Sequence, residues 1–424
     1  MNKPVIVGSL RSPIDIIGGK LSHLSAIDIG IEVSTALLSR YKISPKMLDY
    51  IFIGQVAQTP LYSNAARILG AKIGSKCPAI TFHSNCTSSL AALSSAFDKI
   101  RLGEANIVLI GGIESMSQMH YMANIDRKDK RFRTSEKVKE FWNDAKDKME
   151  LVDLMQRGLT CGITGLSMIE ISEIIAANYQ VKSEEHTKFV TESYKRLANN
   201  IDHSSYIHPI GDLKEDELSK NYKDKDENYF ARSPIIFKKD DLLNKPNFIK
   251  YLHKKQDFNP VVSRHSAVSN ADGAGFLLVM SEEKAKQFGY YIQGEIVDVD
   301  CTAISPEVAL LAPGYSIPKL LDKNKISFDA PYFDIHMPFA ASALGYFNMC
   351  ARKYNQDWYK KFYDGDINRY DNSFIGHPLA ATNIRNIING LKVLYEDKNK
   401  NYSVISGCAA GGISHSVLIK KYEN

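Results

Sequence analysis

Residues 84–115 read SNCTSSLAALSSAFDKIRLGEANIVLIGGIES, and this stretch decides the fold class. Apolar residues spaced for one helix face predict a helix over Thr87–Leu102, with Gly103 as its C-cap. An apolar run over Ala105–Ile110 predicts a buried strand that stops at Gly111-Gly112. A helix that leads directly into a buried strand is typical of layered α/β domains, in which helices pack on a sheet.

The same alternation of strand and helix recurs on both sides of this stretch. Strands are predicted at Pro4–Ser9, Tyr50–Gln55, Gly275–Met280, Tyr291–Asp300, Tyr332–His336, Tyr402–Ser406 and His415–Lys420. Helices are predicted at Ala26–Tyr41, Ala65–Lys72 and Pro378–Leu394, the last with Pro378 in its first turn. Two similar α/β halves, each with a cysteine at an element junction, indicate an internal duplication.

The middle of the chain departs from this alternation. Residues 117–259 contain two charged stretches, Asp126–Lys148 and Asp212–Asp241, and are interpreted as an insertion on the α/β core. The predicted domains are residues 1–116 with 260–285, the inserted residues 117–259, and residues 286–424. The basic side chains of Asp126–Lys148 are interpreted as a solvated helix face, with contact to a phosphate or another subunit as the alternative.

Composition excludes several classes of protein. The 424 residues carry a net charge of +5 with 24% charged residues, which is too mild for a nucleic-acid-binding chain and suits an anionic ligand. No run reaches the ~20 apolar residues that span a bilayer, and no apolar signal segment opens the sequence. The six cysteines form no CxxC pair, which argues against a zinc motif or disulfide framework and predicts reduced thiols in the cytoplasm.

Cys86 stands immediately before the predicted helix that begins at Thr87. The free N–H groups and positive potential of a helix N-terminus favour thiolate over thiol, so we expect the pKa of Cys86 to be lowered. A thiolate in this position is suited to covalent catalysis. The alternative is a small buried apolar residue, which is the usual role of a free cysteine.

Three other segments have reactive side chains at element junctions. His377 precedes a proline that starts a helix, and its imidazole can take a proton from a thiol. His336 directly follows a strand and can hydrogen-bond an oxyanion, directly or through water. Cys408 lies in the Gly-rich segment 407–412, where a second thiol can transfer protons close to a ligand. Taken singly, a capping histidine, a structural histidine and a tight turn are the plainer interpretations.

In this order, the four segments resemble the thiolase family, and the resemblance extends over nearly the whole chain. It rests on Arg11-Ser12-Pro13, Gly111-Gly112-Ile113-Glu114-Ser115-Met116-Ser117, Gly376-His377-Pro378 and Cys408-Ala409-Ala410-Gly411-Gly412. The fold that the resemblance implies has two duplicated βαβαβαββ halves in a five-layered α-β-α-β-α core with an inserted loop domain. The reaction that it implies is acyl transfer between a carbon chain and coenzyme A.

The resemblance also implies a role for each reactive residue. Cys86 would be the acylated nucleophile, His377 would accept its proton, and Cys408 would protonate the departing acetyl-CoA carbanion. One oxyanion would be bound by His377 and a water held by His336, and a second by the backbone N–H groups of Cys86 and Ala410. Contacts with coenzyme A or the acyl substrate are expected from Met168, Ser266, Phe339 and Gly411. Coenzyme A enters as a substrate, and no cofactor and no metal are expected.

His336 stands where many thiolases have asparagine, and a histidine there is similar to the thiolases that partner multifunctional β-oxidation enzymes. The favoured activity is therefore degradative 3-ketoacyl-CoA thiolysis, with biosynthetic acetoacetyl-CoA thiolase as the alternative. Related condensing enzymes lack the second cysteine, and a non-catalytic acyl-CoA- or lipid-binding protein would not need Cys86, His377 and Cys408 together. The resemblance further implies a homodimer or dimer of dimers and is compatible with a hydratase/dehydrogenase partner subunit.

Four places depart from the family pattern. Tyr370-Asp371 stand where the family has a Gly-Gly pair, and Ser89 replaces a glycine. Met337-Pro338 lie where pantetheine usually passes, and Arg264-His265-Ser266 replace small residues of a CoA-binding loop. We expect these changes to narrow or shift acyl specificity while they leave the four reactive side chains in place.

Overall fold

The computed structural model describes residues 2–57, 62–199, 205–370 and 374–424. Asp371, at one of the departures from the family pattern, lies outside these residues. In the described ranges the chain forms twelve strands: β1 Pro4–Arg11, β2 Asp15–Ile16, β3 Tyr50–Gly54, β4 Ala79–Phe82, β5 Ile107–Ser115, β6 Tyr121–Asn124, β7 Glu150–Asp153, β8 Ala271–Ser281, β9 Gly294–Ala303, β10 Tyr332–Ile335, β11 Tyr402–Ala409 and β12 Ile413–Lys420.

The same ranges contain sixteen α-helices: α1 Ala26–Arg40, α2 Ala65–Lys72, α3 Ser88–Arg101, α4 Ser135–Glu140, α5 Trp142–Lys146, α6 Leu154–Gly158, α7 Met168–Asn178, α8 Ser183–Asn199, α9 Glu227–Ala231, α10 Lys239–Leu243, α11 Pro246–Ile249, α12 Glu282–Gln287, α13 Pro313–Asn324, α14 Ala340–Tyr354, α15 Trp358–Tyr363 and α16 Thr382–Glu396. Short 3-10 helices lie at Pro45–Met47, Met116–Gln118, Lys130–Phe132, Glu217–Lys220, Arg264–Ser266 and Pro306–Leu311. Among these described helices, none is long and apolar enough to cross a membrane.

Ten strands form one continuous sheet in the order β10-β11-β12-β9-β1-β8-β5-β3-β4, with β2 beside β8. In the N-terminal half, β3 runs parallel to β5, and β5, β8 and β1 then pair antiparallel in that order. The C-terminal half repeats this pattern with β10, β11, β12 and β9. Antiparallel pairing of β1 with β9 joins the two halves. The internal duplication is therefore visible in the strand order itself.

Three apolar clusters define the layers. One packs α1 and α2 on the N-terminal strands, through residues such as Leu37 and Leu69. The second packs α3 and α16 between the strands of the two halves, through residues such as Leu93 and Ile388. The third packs α13 and α14 on the C-terminal strands. This succession of helices and strands confirms the predicted five-layered core.

The insertion adds helices to the C-terminal outer layer. Phe189 on α8 stacks on Phe362 of α15 with ring centroids 4.4 Å apart. Gly345 on α14 allows a close approach of α7, since a Cβ there would lie 2.3 Å from Ile175. These residues share one apolar cluster with the C-terminal half, so this part of the insertion has no separate core. Strands β6 and β7 form a hairpin of their own.

The prediction that strand β5 stops at Gly111-Gly112 is wrong, because the strand continues to Ser115. A Cβ atom at Gly112 would lie 2.1 Å from the carbonyl oxygen of Ala380, and one at Gly111 would lie 2.4 Å from the Phe276 ring. The two glycines therefore let the strand pass close to its neighbours without a break. The continued strand carries Glu114 into the interior.

Helix α16 begins at Thr382, and the prediction that it starts at Pro378 is wrong. The N–H group of Ala380 donates to the carboxylate of Glu114 at 3.1 Å. The N–H group of Ala381 donates to the Pro378 carbonyl oxygen at 2.7 Å and closes a turn. A tertiary hydrogen bond thus holds residues 378–381 out of the helix.

Candidate active site

Cys86 lies in a tight turn directly before α3. Asn85 has a left-handed backbone with φ of 46°, and the N–H group of Ser88 returns to its carbonyl oxygen at 3.0 Å. The hydroxyl of Ser88 accepts from the N–H group of Ser84 at 2.8 Å. Asn383 on α16 donates to the Cys86 carbonyl oxygen at 2.7 Å. These bonds fix the backbone of Cys86, whose partly buried side chain lines a cavity.

Two imidazoles stand beside the Cys86 thiol. His336 follows β10 and His377 precedes α16, yet their ring centroids are only 4.1 Å apart. The Cys86 sulfur and one nitrogen of each ring all lie within 4.8 Å of one another. Catalytic hydrogen bonds are often long before the substrate binds, so this separation suits the proton transfer predicted between Cys86 and His377.

The hydrogen bonds of His377 leave one of its nitrogens available as a base. Nδ1 lies 2.6 Å from the hydroxyl oxygen of Thr382. That hydroxyl donates in turn to the Pro378 carbonyl oxygen at 3.4 Å. We therefore assign the proton to Nδ1 and the lone pair to Nε2, which is buried and has no partner among the described residues.

Cys408 reaches the same cavity from the end of β11. Its thiol is buried, with Sγ 3.8 Å from the carbonyl oxygen of His336. The cavity has a volume of about 570 Å³ and is lined by all four predicted reactive residues, Cys86, His336, His377 and Cys408. Four side chains that are far apart in the sequence thus meet in one space.

The predicted lowering of the Cys86 pKa is wrong. Burial, assisted by the negative field of Glu114, raises the pKa of the Cys86 thiol to about 12. A hydrogen bond from the Cys86 backbone acts in the opposite direction but does not offset the burial. The prediction considered the helix N-terminus and not the low dielectric of the cavity. The resting nucleophile is a neutral thiol that needs a base.

Burial also keeps the other reactive groups neutral. It lowers the pKa of His336 to about 3, and Arg385 contributes to this shift. It lowers the pKa of His377 well below the ordinary value, with smaller contributions from His336 and Arg385. The pKa of Cys408 is raised, mainly by burial and also by Cys86. At neutral pH the cavity therefore presents two thiols and two uncharged imidazoles.

The Gly-rich turn after Cys408 is tied to the Cys86 turn. The side-chain amide of Asn85 donates to the Ala410 carbonyl oxygen at 3.0 Å. Gly412 has φ of 87°, and a Cβ there would lie 2.1 Å from the Ile304 carbonyl oxygen, so only glycine fits. Ala410 lines the same cavity as Cys86. The role of their N–H groups as a second oxyanion hole stays a prediction.

Of the four residues predicted to contact coenzyme A or substrate, Met168 and Phe339 line the cavity. Ser266 is fully buried, and its hydroxyl accepts from the N–H group of Ser263 at 2.8 Å. Gly411 lines a neighbouring surface pocket. The cavity therefore does not include Ser266 or Gly411, and their contact with coenzyme A stays a prediction.

Two of the departures from the family pattern shape the cavity wall. Arg264, His265 and Pro338 line it, and the His265 ring is held by a 2.8 Å hydrogen bond between Nδ1 and the Ser233 hydroxyl. Tyr370 is buried and donates to the carboxylate of Glu396, outside the cavity wall. The specificity change expected from these positions is therefore concentrated at Arg264-His265 and Pro338.

Sequence reasoning missed Glu114 as a residue that organises the site. Its buried carboxylate accepts from the N–H groups of Val56, Ala57 and Ala380 at 3.2, 2.7 and 3.1 Å. Burial raises the pKa of Glu114 to about 7. The carboxylate thereby joins the turn after β3 to the loop that carries His377. The sequence signal that could have identified Glu114 is its place in an apolar segment, because a carboxylate that is buried with such a strand requires hydrogen-bond partners.

Two basic residues of the stretch Asp126–Lys148 pair with acidic neighbours in the same stretch. Arg131 lies 2.6 Å from Asp129 and 2.7 Å from Asp144, and Lys148 lies 3.6 Å from Asp129. All three of these pairs are at least partly exposed. The arrangement agrees with a solvated surface, and contact with a phosphate stays a prediction.

Known proteins share this fold over its whole length. A family model described as "Thiolase, N-terminal domain" matches residues 4–283, and one described as "Thiolase, C-terminal domain" matches residues 290–421. The solved acetyl-CoA acetyltransferase of Syntrophomonas wolfei has a TM-score of 0.84 and 25% identity, with 100% of both chains covered. The duplicated fold and its thiol- and imidazole-lined cavity are those of an acyltransferase.

The chain belongs to the thiolase family. The "Probable 3-ketoacyl-CoA thiolase" of Caenorhabditis elegans is 28% identical over 441 residues, which cover 99% of this chain and 94% of that protein. The "Trifunctional enzyme subunit beta, mitochondrial" of Rattus norvegicus is 27% identical over 447 residues, which cover 99% and 88%. The predicted family and the acyltransferase activity are confirmed, whereas these identities do not distinguish cleavage from condensation.

Proposed function

We propose that this enzyme cleaves 3-ketoacyl-CoA with coenzyme A and releases acetyl-CoA and a shortened acyl-CoA. The observation that carries the proposal is the convergence of Cys86, His336, His377 and Cys408 on one cavity. Coenzyme A is a substrate, and thiols with imidazoles suffice for covalent acyl transfer without a further cofactor.

The reaction begins with transfer of the Cys86 proton to Nε2 of His377. A thiol with a pKa of about 12 is unreactive at neutral pH until a base takes its proton. Burial keeps the pKa of His377 low, so the imidazole is neutral and able to accept. The thiolate then attacks the 3-keto carbon, and the backbone N–H groups of Cys86 and Ala410 stabilise the oxyanion that forms there. His377 and a water held by His336 stabilise the thioester oxyanion of the departing acetyl-CoA.

Cleavage of the bond between C2 and C3 releases the acetyl-CoA carbanion, which takes the proton of Cys408. Cys86 now carries the shortened acyl group as a thioester. The Cys408 thiolate removes the proton of the incoming coenzyme A, whose sulfur attacks the acyl carbon. Cys86 leaves as a thiolate and recovers its proton from His377, so both cysteines and the histidine return to their starting states.

Two observations favour degradation over synthesis. By the resemblance to the thiolase family, His336 stands where many thiolases have asparagine, and a histidine there is similar to the thiolases that partner β-oxidation enzymes. The cavity of about 570 Å³ has an apolar wall that suits an acyl chain longer than acetyl, formed by Leu159, Met168, Ile169, Leu310 and Phe339. Biosynthetic condensation of two acetyl-CoA molecules is the second candidate, favoured by the similarity to an acetyl-CoA acetyltransferase.

The test follows the absorbance of the magnesium enolate of a 3-ketoacyl-CoA on addition of coenzyme A. Substrates from acetoacetyl-CoA to 3-ketohexadecanoyl-CoA should lose absorbance with the wild type and not with Cys86→Ala. Turnover restricted to acetoacetyl-CoA would favour the biosynthetic candidate. Retained acyl-CoA binding without any turnover would indicate the non-catalytic alternative.

The proposal extends to the assembly and surroundings of the enzyme. A homodimer or dimer of dimers is expected, and the name of the rat relative, a subunit of a trifunctional enzyme, supports a partner subunit. A hydratase/dehydrogenase is the candidate that the family resemblance suggests. All six cysteines are free, which suits the reducing cytoplasm. Light scattering of the purified chain measures its oligomeric state, and the same measurement with a candidate partner shows whether the two bind.

A further inference from the structure

We propose that Cys86, His336 and His377 also form a binding site for a thiophilic divalent cation such as Zn²⁺, and that the bound ion holds the enzyme inactive. A sulfur and two imidazole nitrogens within 4.8 Å of one another are the donor types that zinc prefers. The inference concerns inhibition and is independent of the direction in which the enzyme runs.

The geometry requires only a small contraction. Zinc bonds of about 2.3 Å to sulfur and about 2.0 Å to nitrogen place tetrahedral ligand atoms about 3.3–3.6 Å apart. The largest separation at this site is at most 4.8 Å. Rotation of the Cys86 and His336 side chains can close this gap, because neither nitrogen of His336 is held by a hydrogen bond among the described residues.

The imidazole nitrogens supply an independent indication of a ligand. Both nitrogens of His336 and Nε2 of His377 are buried without a hydrogen-bond partner in the described part of the chain. Each of the two histidines is only 4% exposed, so unpaired nitrogens are costly there. A metal ion satisfies one nitrogen of each ring at once.

His377 is oriented as metal-binding histidines usually are. Its Nδ1–H group donates to Thr382 at 2.6 Å and leaves Nε2 for the cavity. Metal-bound histidines typically fix the second ring nitrogen by such a bond. The lack of a CxxC pair does not argue against this site, because its three ligands come from separate segments of the sequence.

Binding would form one Zn–S bond and two Zn–N bonds and release the Cys86 thiol proton to solvent, with no change of oxidation state. The sulfur electron pair would then be unavailable for attack on an acyl carbon. Cys408 lines the same cavity but is not one of the three proposed ligands. An ion with three protein ligands would take water or the coenzyme A thiol as its fourth ligand.

The full chain, freed of metal by a chelator and then desalted, is titrated with Co²⁺ and with Zn²⁺. We expect one Zn²⁺ per chain by calorimetry, and with Co²⁺ a thiolate charge-transfer band together with the visible bands of a tetrahedral ion. Cys86→Ala should abolish the charge-transfer band, and His336→Asn should weaken binding at least about tenfold. Circular dichroism verifies that each variant is folded.

Cys408→Ala is the matched control, because it removes a thiol from the same cavity that is not among the ligands. It should leave the affinity for Zn²⁺ within about threefold of the wild type. Absence of stoichiometric binding, a charge-transfer band that persists in Cys86→Ala, or equal affinity in His336→Asn would overturn the proposal. Thiolysis measured in the presence of a chelator is unaffected by such a failure, so the two proposals are tested separately.

Discussion

At Cys86 two electrostatic effects oppose each other. The start of α3 favours a thiolate, whereas the cavity and the nearby Glu114 favour the neutral thiol and raise the Cys86 pKa to about 12. Burial also lowers the pKa of His377, so the two groups form a neutral pair and not an ion pair. Proton transfer from Cys86 to His377 then has to precede attack on the 3-keto carbon.

This neutral pair predicts an unusual pH dependence of acylation. Because the pKa of His377 lies well below 6.5, its basic form persists as the pH falls, and the acylation rate should change less than about twofold between pH 8 and 6. Single-turnover acylation with rapid quenching measures this rate. Glu114, with a pKa raised to about 7, titrates in the same window, so Glu114→Gln is the control. A tenfold fall near pH 6.5 in both proteins would contradict a low His377 pKa.

Local sequence signals predicted eight of the twelve strands and four of the sixteen α-helices of the described residues, but not their tertiary exceptions. Helix α2 was predicted at its observed bounds and α3 within one residue of them, because their apolar spacing and end residues agree with their packing. The predictions failed at the end of β5 and the start of α16, where Glu114 binds Ala380. The meeting of Cys86 with His377 followed only from family resemblance, since no local pattern encodes that contact.

Helix α7 positions the loop that forms part of the cavity wall. Glu173 on α7 accepts from the N–H groups of Val261 and Val262 at distances between 2.9 and 3.2 Å. Glu173→Ala should leave the partly buried N–H group of Val261 and the buried one of Val262 unpaired, at a total cost of about 1–3 kcal/mol, and raise the KM for coenzyme A. Denaturant unfolding and steady-state kinetics measure these effects. Glu184→Ala, at a carboxylate with 75% exposure, is the matched control and should change neither.

The loss of unfolding free energy caused by Glu173→Ala should also depend on pH. Burial raises the pKa of Glu173 from 4.5 to about 7, so between these values the folded state binds more protons than the unfolded chain. The contribution of Glu173 to stability is therefore greatest at low pH and declines as the pH rises. The difference in unfolding free energy between wild type and Glu173→Ala should shrink from pH 5 to pH 7, and a difference that grows would contradict this assignment.

At the scale of the whole molecule, the candidate site lies where the two halves meet. Cys86 comes from the N-terminal half, whereas His336, His377 and Cys408 come from the C-terminal half. Helices α3 and α16 share the central apolar cluster, and Asn383 on α16 holds the Cys86 carbonyl oxygen. The duplication therefore produces a site that neither half contains alone.

A shared central layer predicts that both halves unfold together. Ile387 on α16 is fully buried in this layer, so Ile387→Ala should lower the unfolding free energy by about 2–5 kcal/mol and leave one transition. Differential scanning calorimetry measures this. Lys398→Ala, at an exposed position just after α16, is the control, and its unfolding free energy should stay within about 0.5 kcal/mol of the wild type. Two separate transitions in the wild type would show that the halves unfold independently.

The central claim is that Cys86 is the nucleophile and Cys408 the proton carrier. It is tested most directly by trapping the acyl-enzyme in Cys408→Ser and locating the acyl group by peptide mass spectrometry. We expect the acyl group from an acyl-CoA on Cys86, with overall thiolysis reduced at least about 100-fold because the second proton carrier is lost. Full turnover in Cys408→Ser, or an acyl group on Cys161 or Cys350 in place of Cys86, would contradict the mechanism.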